Sequence, residues 1–62
     1  MIEYEARFLN HADRVFGTHH FVAEDDKVAI TRSATVYASG IGKGYEIWRD
    51  DRAIHSVVYR GH

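Results

Sequence analysis

The 62-residue chain contains no cysteine and no proline. Without cysteine it can form neither a disulfide framework nor a thiolate zinc site, which stabilise many domains of this size. It also has little excess charge, because eight Lys and Arg against nine Asp and Glu give a formal net charge of -1 at pH 7. Such a balance argues against a strongly basic nucleic-acid surface. No apolar run approaches the roughly 18 residues of a membrane-spanning helix, so we expect no membrane partner.

Motifs that mark common enzyme classes are also missing. The chain has no P-loop, no glycine-rich dinucleotide fingerprint, no His-Glu-x-x-His pair and no nucleophile elbow. The acidic clusters at residues 24–26 and 50–51 are predicted to serve a helix cap and a turn, and no base accompanies Ser33, Ser39 or Ser56 in a recognisable pattern. The first residues lack a basic region followed by an apolar stretch. We therefore expect a non-catalytic, cytoplasmic protein that uses no cofactor.

The composition is that of a small folded domain. Hydrophobic residues make up 45% of the chain, which is too many for a disordered segment. A chain of this mass buries only about 60% of the surface it exposes when unfolded, so its core is marginal. We predict a single small domain over residues 1–62, to which association with a partner would add burial and stability.

Alternation and turn residues predict a hairpin in the first third of the chain. Residues 2–9 alternate apolar and charged side chains with the period of a half-buried strand. Residues 14–22 are rich in the β-branched and aromatic types that favour strands. Asn10 and Asp13, between the two strands, favour a tight turn. Gly17 indicates a bulge or a close backbone approach within the second strand.

A helix is predicted over residues 26–39. Asp25 or Asp26 can cap its N terminus, and Gly40 is suitably placed as the first residue beyond its C terminus. Many of its residues are β-branched and lower its intrinsic stability, so it would hold only when packed against a sheet. The predicted apolar face consists of Ile30, Ala34, Tyr37, Ala38 and Ile41.

Two more strands, residues 44–49 and 52–59, follow the helix and are predicted to pair through a tight turn at residues 50 and 51. The resulting fold class is α+β, in the order β-β-α-β-β, with one helix packed on one face of a small antiparallel sheet. The strand order stays open, because the hairpins could join through their first and last strands or through the central pair. The expected cross-strand pairs are Trp48 with Ala53, Ile47 with Ile54 and Glu46 with His55.

Four short segments carry a family resemblance, and they are Arg14-Val15-Phe16-Gly17, Asp25-Asp26, Tyr45-Glu46-Ile47-Trp48 and Arg52-Ala53-Ile54. In them the chain resembles small uncharacterised bacterial proteins of β-β-α-β-β layout, which are described as domains of unknown function. The resemblance covers most of the chain and implies the fold described above. It implies no catalytic or binding residues.

The sheet face opposite the helix is the main functional feature that the sequence predicts. If Ile47 and Ile54 face the helix, alternation places Trp48, Val57 and Tyr59 together on the uncovered face. Large aromatic residues on such a face are typical of interface anchors. Alternatively, the last strand twists away and these side chains pack against loops or lie singly on the surface. We predict a self-associating or partner-binding module, most simply a homodimer, that associates through a sheet face or edge, with Trp48, Val57 and Tyr59 in its interface.

A second functional class is single-stranded nucleic-acid binding. Arg49 and Arg52 lie near Trp48 and Tyr59 in the sequence, and arginines interleaved with aromatics can contact phosphates while bases stack. The acidic residues among them and the slightly acidic chain weigh against this alternative.

The five histidines raise a metal-binding or pH-sensing alternative. His19 and His20 are adjacent on a strand and point to opposite faces, so they cannot bind one ion without a bulge. His20 and His55, assisted by Glu46, would meet only if the second and fourth strands were neighbours. Because a metal site needs three or four convergent ligands, we expect no metal. pH-sensitive assembly remains open, since histidine titrates near neutrality.

Overall fold

The computed structural model describes residues 1–38 and 40–60. These residues form four strands and one helix in the predicted order, which confirms the α+β fold. Each strand begins and ends within one residue of the bounds that the sequence predicts. The elements are β1 (Ile2–Leu9), β2 (Val15–Ala23), α1 (Asp26–Val36), β3 (Gly44–Arg49) and β4 (Arg52–Val58).

Short polar side chains shape the two hairpin turns. Asn10 Oδ1 accepts hydrogen bonds from the main-chain N–H groups of Ala12 at 2.9 Å and of Arg14 at 3.0 Å. Asp13 and Asp50 adopt positive φ angles of 62° and 54°, a region that Asp tolerates better than most residues. The turn residues identified in the sequence therefore do form the turns.

The sheet has the strand order β2-β1-β3-β4, and β1 pairs antiparallel with both of its neighbours. This order differs from both arrangements left open by the sequence, because the hairpins join through β1 and β3. With β1 between them, β2 and β3 run parallel, and such strands need a long crossover that a helix usually supplies. α1 is that crossover, so β2 and β4 are left as the two edge strands.

The helix begins as predicted but ends early. Asp25 is the N-cap, and its Oδ1 accepts a hydrogen bond from the Val28 N–H at 2.8 Å. The last helical residue is Val36, so the predicted extension is wrong over residues 37 and 38. Ser39, the predicted last residue, lies outside the described residues.

The early end of the helix coincides with an aromatic contact to the sheet. Tyr37 is the C-cap, and its N–H donates to the Ser33 carbonyl oxygen at 2.8 Å. Its ring packs edge-on against Phe8 of β1, with the ring centroids 5.0 Å apart. Because Tyr37 is the C-cap, Gly40 is not the first residue beyond it, and that prediction is wrong.

The helix also buries a different stripe from the predicted one. Ala29 and Ser33 are buried against the sheet, whereas Ala34 is exposed and Ile41 is 85% exposed. The buried stripe is rotated by one residue from the prediction. α1 has few large apolar side chains on either side, so its sequence contains only a weak amphipathic signal. Small side chains at the contact let the helix approach the sheet closely.

The core lies between α1 and one face of the sheet. Half of its fully buried apolar residues are alanines, which fill little volume. Much of the buried apolar surface therefore belongs to two tyrosines and one isoleucine. This agrees with the marginal core expected for a chain of this size. The fully buried apolar residues are Tyr4, Ala6, Ala23, Ala29, Tyr45 and Ile47.

A β-bulge in the β3–β4 hairpin changes the face of the sheet to which the last side chains of β4 point. Trp48 pairs with Ala53 as predicted, but Ile47 pairs with His55 instead of Ile54. The extra residue in β4 reverses its alternation from that point onward. Val57 consequently pairs with Tyr45 on the helix side of the sheet. The predicted pairs Ile47–Ile54 and Glu46–His55 are therefore wrong.

Candidate functional site

The structure does not bring the three predicted interface residues together. Trp48 lies on the open face of the sheet, which is the face opposite α1. Val57 and Tyr59 pack instead against the core on the helix side, where the Tyr59 ring lies 6.0 Å from that of Tyr45. The prediction of a shared open face is wrong because the bulge in β4 reverses the direction of the later side chains.

The centre of the open face is polar. The Arg7 guanidinium lies over the Trp48 ring, 4.0 Å from its centroid, and also pairs with Glu5. The indole N–H of Trp48 donates to Glu46 Oε1 at 3.0 Å. The hydrogen bond from Arg7 holds the pKa of Glu5 below its usual value. Trp48 is thus half-buried under charged neighbours. Among the described residues, the centre of the open face is therefore not the apolar aromatic patch that alternation predicted.

A tyrosine cluster fills the helix side of the sheet. Tyr37 packs edge-on against Tyr45, with the ring centroids 5.4 Å apart, and Tyr45 in turn packs against Tyr59. Burial raises the pKa of all three hydroxyls. Burial also raises the pKa of Tyr4, whose O–H in addition donates to Asp26 Oδ1 at 2.7 Å. The folded state therefore favours the neutral form of every tyrosine in the chain.

These raised pKa values predict a loss of stability in alkali. The pKa of such a hydroxyl is higher in the folded state than its value of about 10 in the unfolded chain. Its contribution to the stability of the fold is fully present below about pH 10 and is lost as the pH rises further. We expect unfolding, followed by circular dichroism, to coincide with tyrosinate absorbance at 295 nm above about pH 10. Tyr45→Phe should shift this transition to higher pH. Titration of the tyrosines near pH 10 in a chain that stays folded would contradict the prediction.

The residues of the nucleic-acid alternative do not share a face either. Arg49 Nη1 donates to Asp26 Oδ1 at 2.9 Å on the helix side. Tyr59 is on that side as well, whereas Trp48 is on the open face, and Arg52 is an exposed residue at the start of the edge strand β4. The geometry thus provides no continuous surface of arginines and aromatics from this set.

The histidines are also dispersed. His20 and His55 lie on the two opposite edge strands, so they do not meet near Glu46. His19 Nδ1 is 2.6 Å from the Tyr37 hydroxyl, while His20 Nε2 is 3.4 Å from Glu5 Oε1. Within residues 1–38 and 40–60, no three His, Asp or Glu side chains are grouped as metal ligands. His62 lies outside the described residues.

The outer edge of β2, which pairs with no other strand of the sheet, is a candidate interaction surface. Arg32 Nη1 donates to the Val22 carbonyl oxygen at 2.8 Å, so this carbonyl points away from β1. Along an antiparallel pair, successive residues direct their N–H and C=O groups alternately toward and away from the partner strand. The β1–β2 register is regular from Gly17 to Ala23. The main-chain N–H and C=O groups of Thr18 and His20 therefore also point outward, away from β1.

The β2 edge carries exposed apolar side chains and little protection. Val15, Phe16 and Val22 are 48%, 51% and 43% exposed. No Asp, Glu, Lys or Arg occurs anywhere in Val15–Ala23. Edge strands of monomeric proteins are usually protected from pairing by charges, prolines, β-bulges or short length. This nine-residue strand has no charged residue and no proline, and its register shift lies at its beginning, before the regular stretch from Gly17 to Ala23. The Arg32 contact at Val22 is the protection that the neighbouring helix supplies.

The sequence does not show that β2 lies at an edge of the sheet. The absence of charge from Val15–Ala23 was visible in the sequence. The consequence of this missing charge depends on whether β2 is a central strand or an edge strand. That position follows from the order of the hairpins in the sheet, which is set by contacts between residues distant in the sequence. A charge-free central strand would be ordinary, whereas a charge-free edge strand lacks a common protection against pairing.

Comparison with known proteins identifies no relative of this chain: no family model, no curated protein and no solved structure matches it. The resemblance to small bacterial proteins of the same layout therefore stays a prediction. In the part of the chain that the structure describes, no helix is long and apolar enough to cross a membrane.

Proposed function

We propose that this protein is a small non-catalytic module that associates with a second copy of itself through the edge of β2. The observation that carries the proposal is a nine-residue edge strand without a charged residue or proline, on which apolar side chains are exposed. Such an edge is a template for main-chain pairing with another strand.

A two-fold axis near His19 would pair β2 with β2 of a second copy through their outward main-chain N–H and C=O groups. In this arrangement Thr18 lies opposite His20 of a second copy, and both residues direct their N–H and C=O groups outward. Each such pair exchanges two main-chain hydrogen bonds. The Val22 carbonyl lies beyond these pairs, so Arg32 can retain its hydrogen bond to it. The two sheets would then form one continuous antiparallel sheet.

Charge and core size favour a second copy as the partner. β2 has no fixed charge, so two copies of it can approach without strong repulsion. Pairing would also remove exposed Val15 and Val22 from water, which adds burial to a domain whose buried apolar set is half alanine. An isologous contact of this kind closes after two copies and does not propagate from the same edge.

A single added charge on β2 tests the proposal. In Thr18→Lys, two lysines are brought to the same face of the paired sheet, beside the histidines of the other copy. We expect the dissociation constant of the dimer to rise about tenfold or more, which corresponds to ~1.4 kcal/mol. Light scattering on a sizing column, over a series of protein concentrations, measures the change.

Thr35→Lys is the matched control. Thr35 is exposed on α1, away from β2, so the same substitution there adds the same charge without touching the edge. This variant should associate like the unchanged chain. Equal weakening in both variants would show an effect of net charge alone, and equal association of Thr18→Lys and the unchanged chain would exclude the β2 edge as the contact.

A further inference from the structure

We propose that protonation of His19 weakens the dimer formed through β2, so that the two copies separate more readily in mild acid than near neutral pH. The contact that the proton weakens is the self-association proposed for β2, on which this inference rests. The pairing itself places the group. Because Thr18 lies opposite His20 of the second copy, the two His19 residues face each other on the two-fold axis.

The pairing brings both His19 side chains to one face of the joined sheet. In an antiparallel pair, residues between two hydrogen-bonded pairs lie directly opposite each other, with their Cα atoms about 4.5 Å apart. His19 points to the helix side of its own sheet, as does its β1 partner Ala6, which belongs to the core. Side chains that are opposite on one face interact directly, so a charge on one His19 acts on the other.

A contact with the helix holds each imidazole over this face. His19 Nδ1 is 2.6 Å from the Tyr37 hydroxyl, and the two rings meet edge-on. Tyr37 is itself fixed by its packing against Phe8 and Tyr45. The His19 ring therefore cannot swing out into solvent without losing this contact. His19 is nevertheless an exposed residue, so it can take up a proton while the chain stays folded.

The surroundings of His19 do not neutralise a positive charge. Among the described residues, no Asp or Glu forms an ion pair with it. On α1 it faces the Tyr37 hydroxyl and shares a groove with Arg32, a cation that is held at the carbonyl of Val22. On β1 it faces the methyl group of Ala6. Protonation in both copies thus adds two positive charges to a face that already carries two arginines.

His20 is in the opposite situation. Its side chain lies on the open face of the sheet, where its Nε2 is 3.4 Å from Glu5 Oε1. Glu5 also pairs with Arg7 of its own strand. A proton on His20 is therefore compensated by a carboxylate within the same chain. This difference assigns the pH response of the dimer to His19.

The direction of the response follows from the charges. Histidine side chains gain their proton between about pH 8 and pH 5. Like charges directly opposite on a sheet are destabilising, so the dimer disfavours a second proton at the axis. Association is then strongest at the upper end of this range and weakens as the pH falls. We expect the dissociation constant to rise about fivefold from pH 7.5 to pH 5.5, which corresponds to ~1 kcal/mol.

The experiment measures the dissociation constant of the dimer at pH 7.5 and at pH 5.5, by light scattering over a series of protein concentrations. In His19→Gln the ratio of the two constants should fall close to one, because the amide can still hydrogen-bond to Tyr37 but does not titrate. His20→Gln is the matched control, since it removes one histidine from the neighbouring position of the same strand. The control should keep the rise of about fivefold. Circular dichroism at both pH values separates dissociation from unfolding.

The outcomes distinguish this proposal from self-association itself. Equal dissociation constants at the two pH values in the unchanged chain would overturn the role of His19 and leave the dimer intact. A rise that persists in His19→Gln, or that disappears in His20→Gln, would overturn it as well. A chain that is monomeric at pH 7.5 at every concentration would instead overturn self-association, and the pH response with it.

Discussion

Ile47→Ala is expected to leave the chain largely unfolded near physiological temperature. Ile47 is fully buried on β3, where it lies opposite Ala6 of β1. Truncating a buried isoleucine removes apolar contacts and leaves a cavity, at a cost of about 2–5 kcal/mol. A 62-residue domain has little stability beyond that range. Ala6 cannot fill the cavity, because its own side chain is a single methyl group.

Urea unfolding, followed by circular dichroism and Trp48 fluorescence, measures this loss. Ile41→Ala is the matched control, because Ile41 is 85% exposed in the segment between α1 and β3. The control should change the free energy of unfolding by less than about 0.5 kcal/mol. A loss below about 1 kcal/mol in Ile47→Ala would show that the core is not where the structure places it.

Gly44→Ala is expected to disrupt the β3–β4 hairpin. A Cβ at this position would overlap the main chain of Val57 and Val58, since it would lie 2.9 Å from the Val57 carbonyl carbon, and no flexible side chain there can move aside. The two strands must separate to accommodate it. Overpacking of this kind typically costs about 1–3 kcal/mol, and backbone that cannot relax places the result at the upper end. Loss of hairpin cross-peaks in NMR spectra, together with a lower midpoint of urea unfolding, would report the effect.

Gly17→Ala provides the control for Gly44→Ala. Gly17 is also in a strand, but a Cβ there would meet Phe8 Cδ2 at 3.9 Å, which is ordinary van der Waals contact. We expect this substitution to be tolerated. If both alanine variants unfolded at the same urea concentration, the close approach of β4 to Gly44 would be excluded.

Local patterns were sufficient to predict the elements of the fold. The alternation in β1 and the short polar side chains at Asn10 and Asp13 are interactions between near neighbours, and they produced the expected hairpin. Asp25 likewise caps α1 through a hydrogen bond within its own turn. These features depend on backbone geometry and side-chain chemistry over a few residues, which the sequence contains in full.

Three features depended on information that local patterns lack. The β4 bulge adds one residue between Ala53 and His55, and the sequence there contains no glycine to mark it. The helix stripe was misplaced because Ala29 and Ser33 are no more apolar than Ala34. Sheet order depends on contacts between β1 and β3, which are more than thirty residues apart in the sequence. Because the β4 bulge was not predicted, Val57 and Tyr59 were assigned to the same face as Trp48. Because the strand order was not predicted, β2 was not recognised as an edge strand.

Self-association through β2 should be visible in the absolute mass of the unchanged chain in solution. Light scattering on a sizing column, over about a hundredfold range of concentration at pH 7.5, determines whether two copies associate. We expect a mass that rises from that of one 7.1 kDa chain to twice that value and then stays constant. A mass that remains that of a single chain at the highest concentration would contradict it.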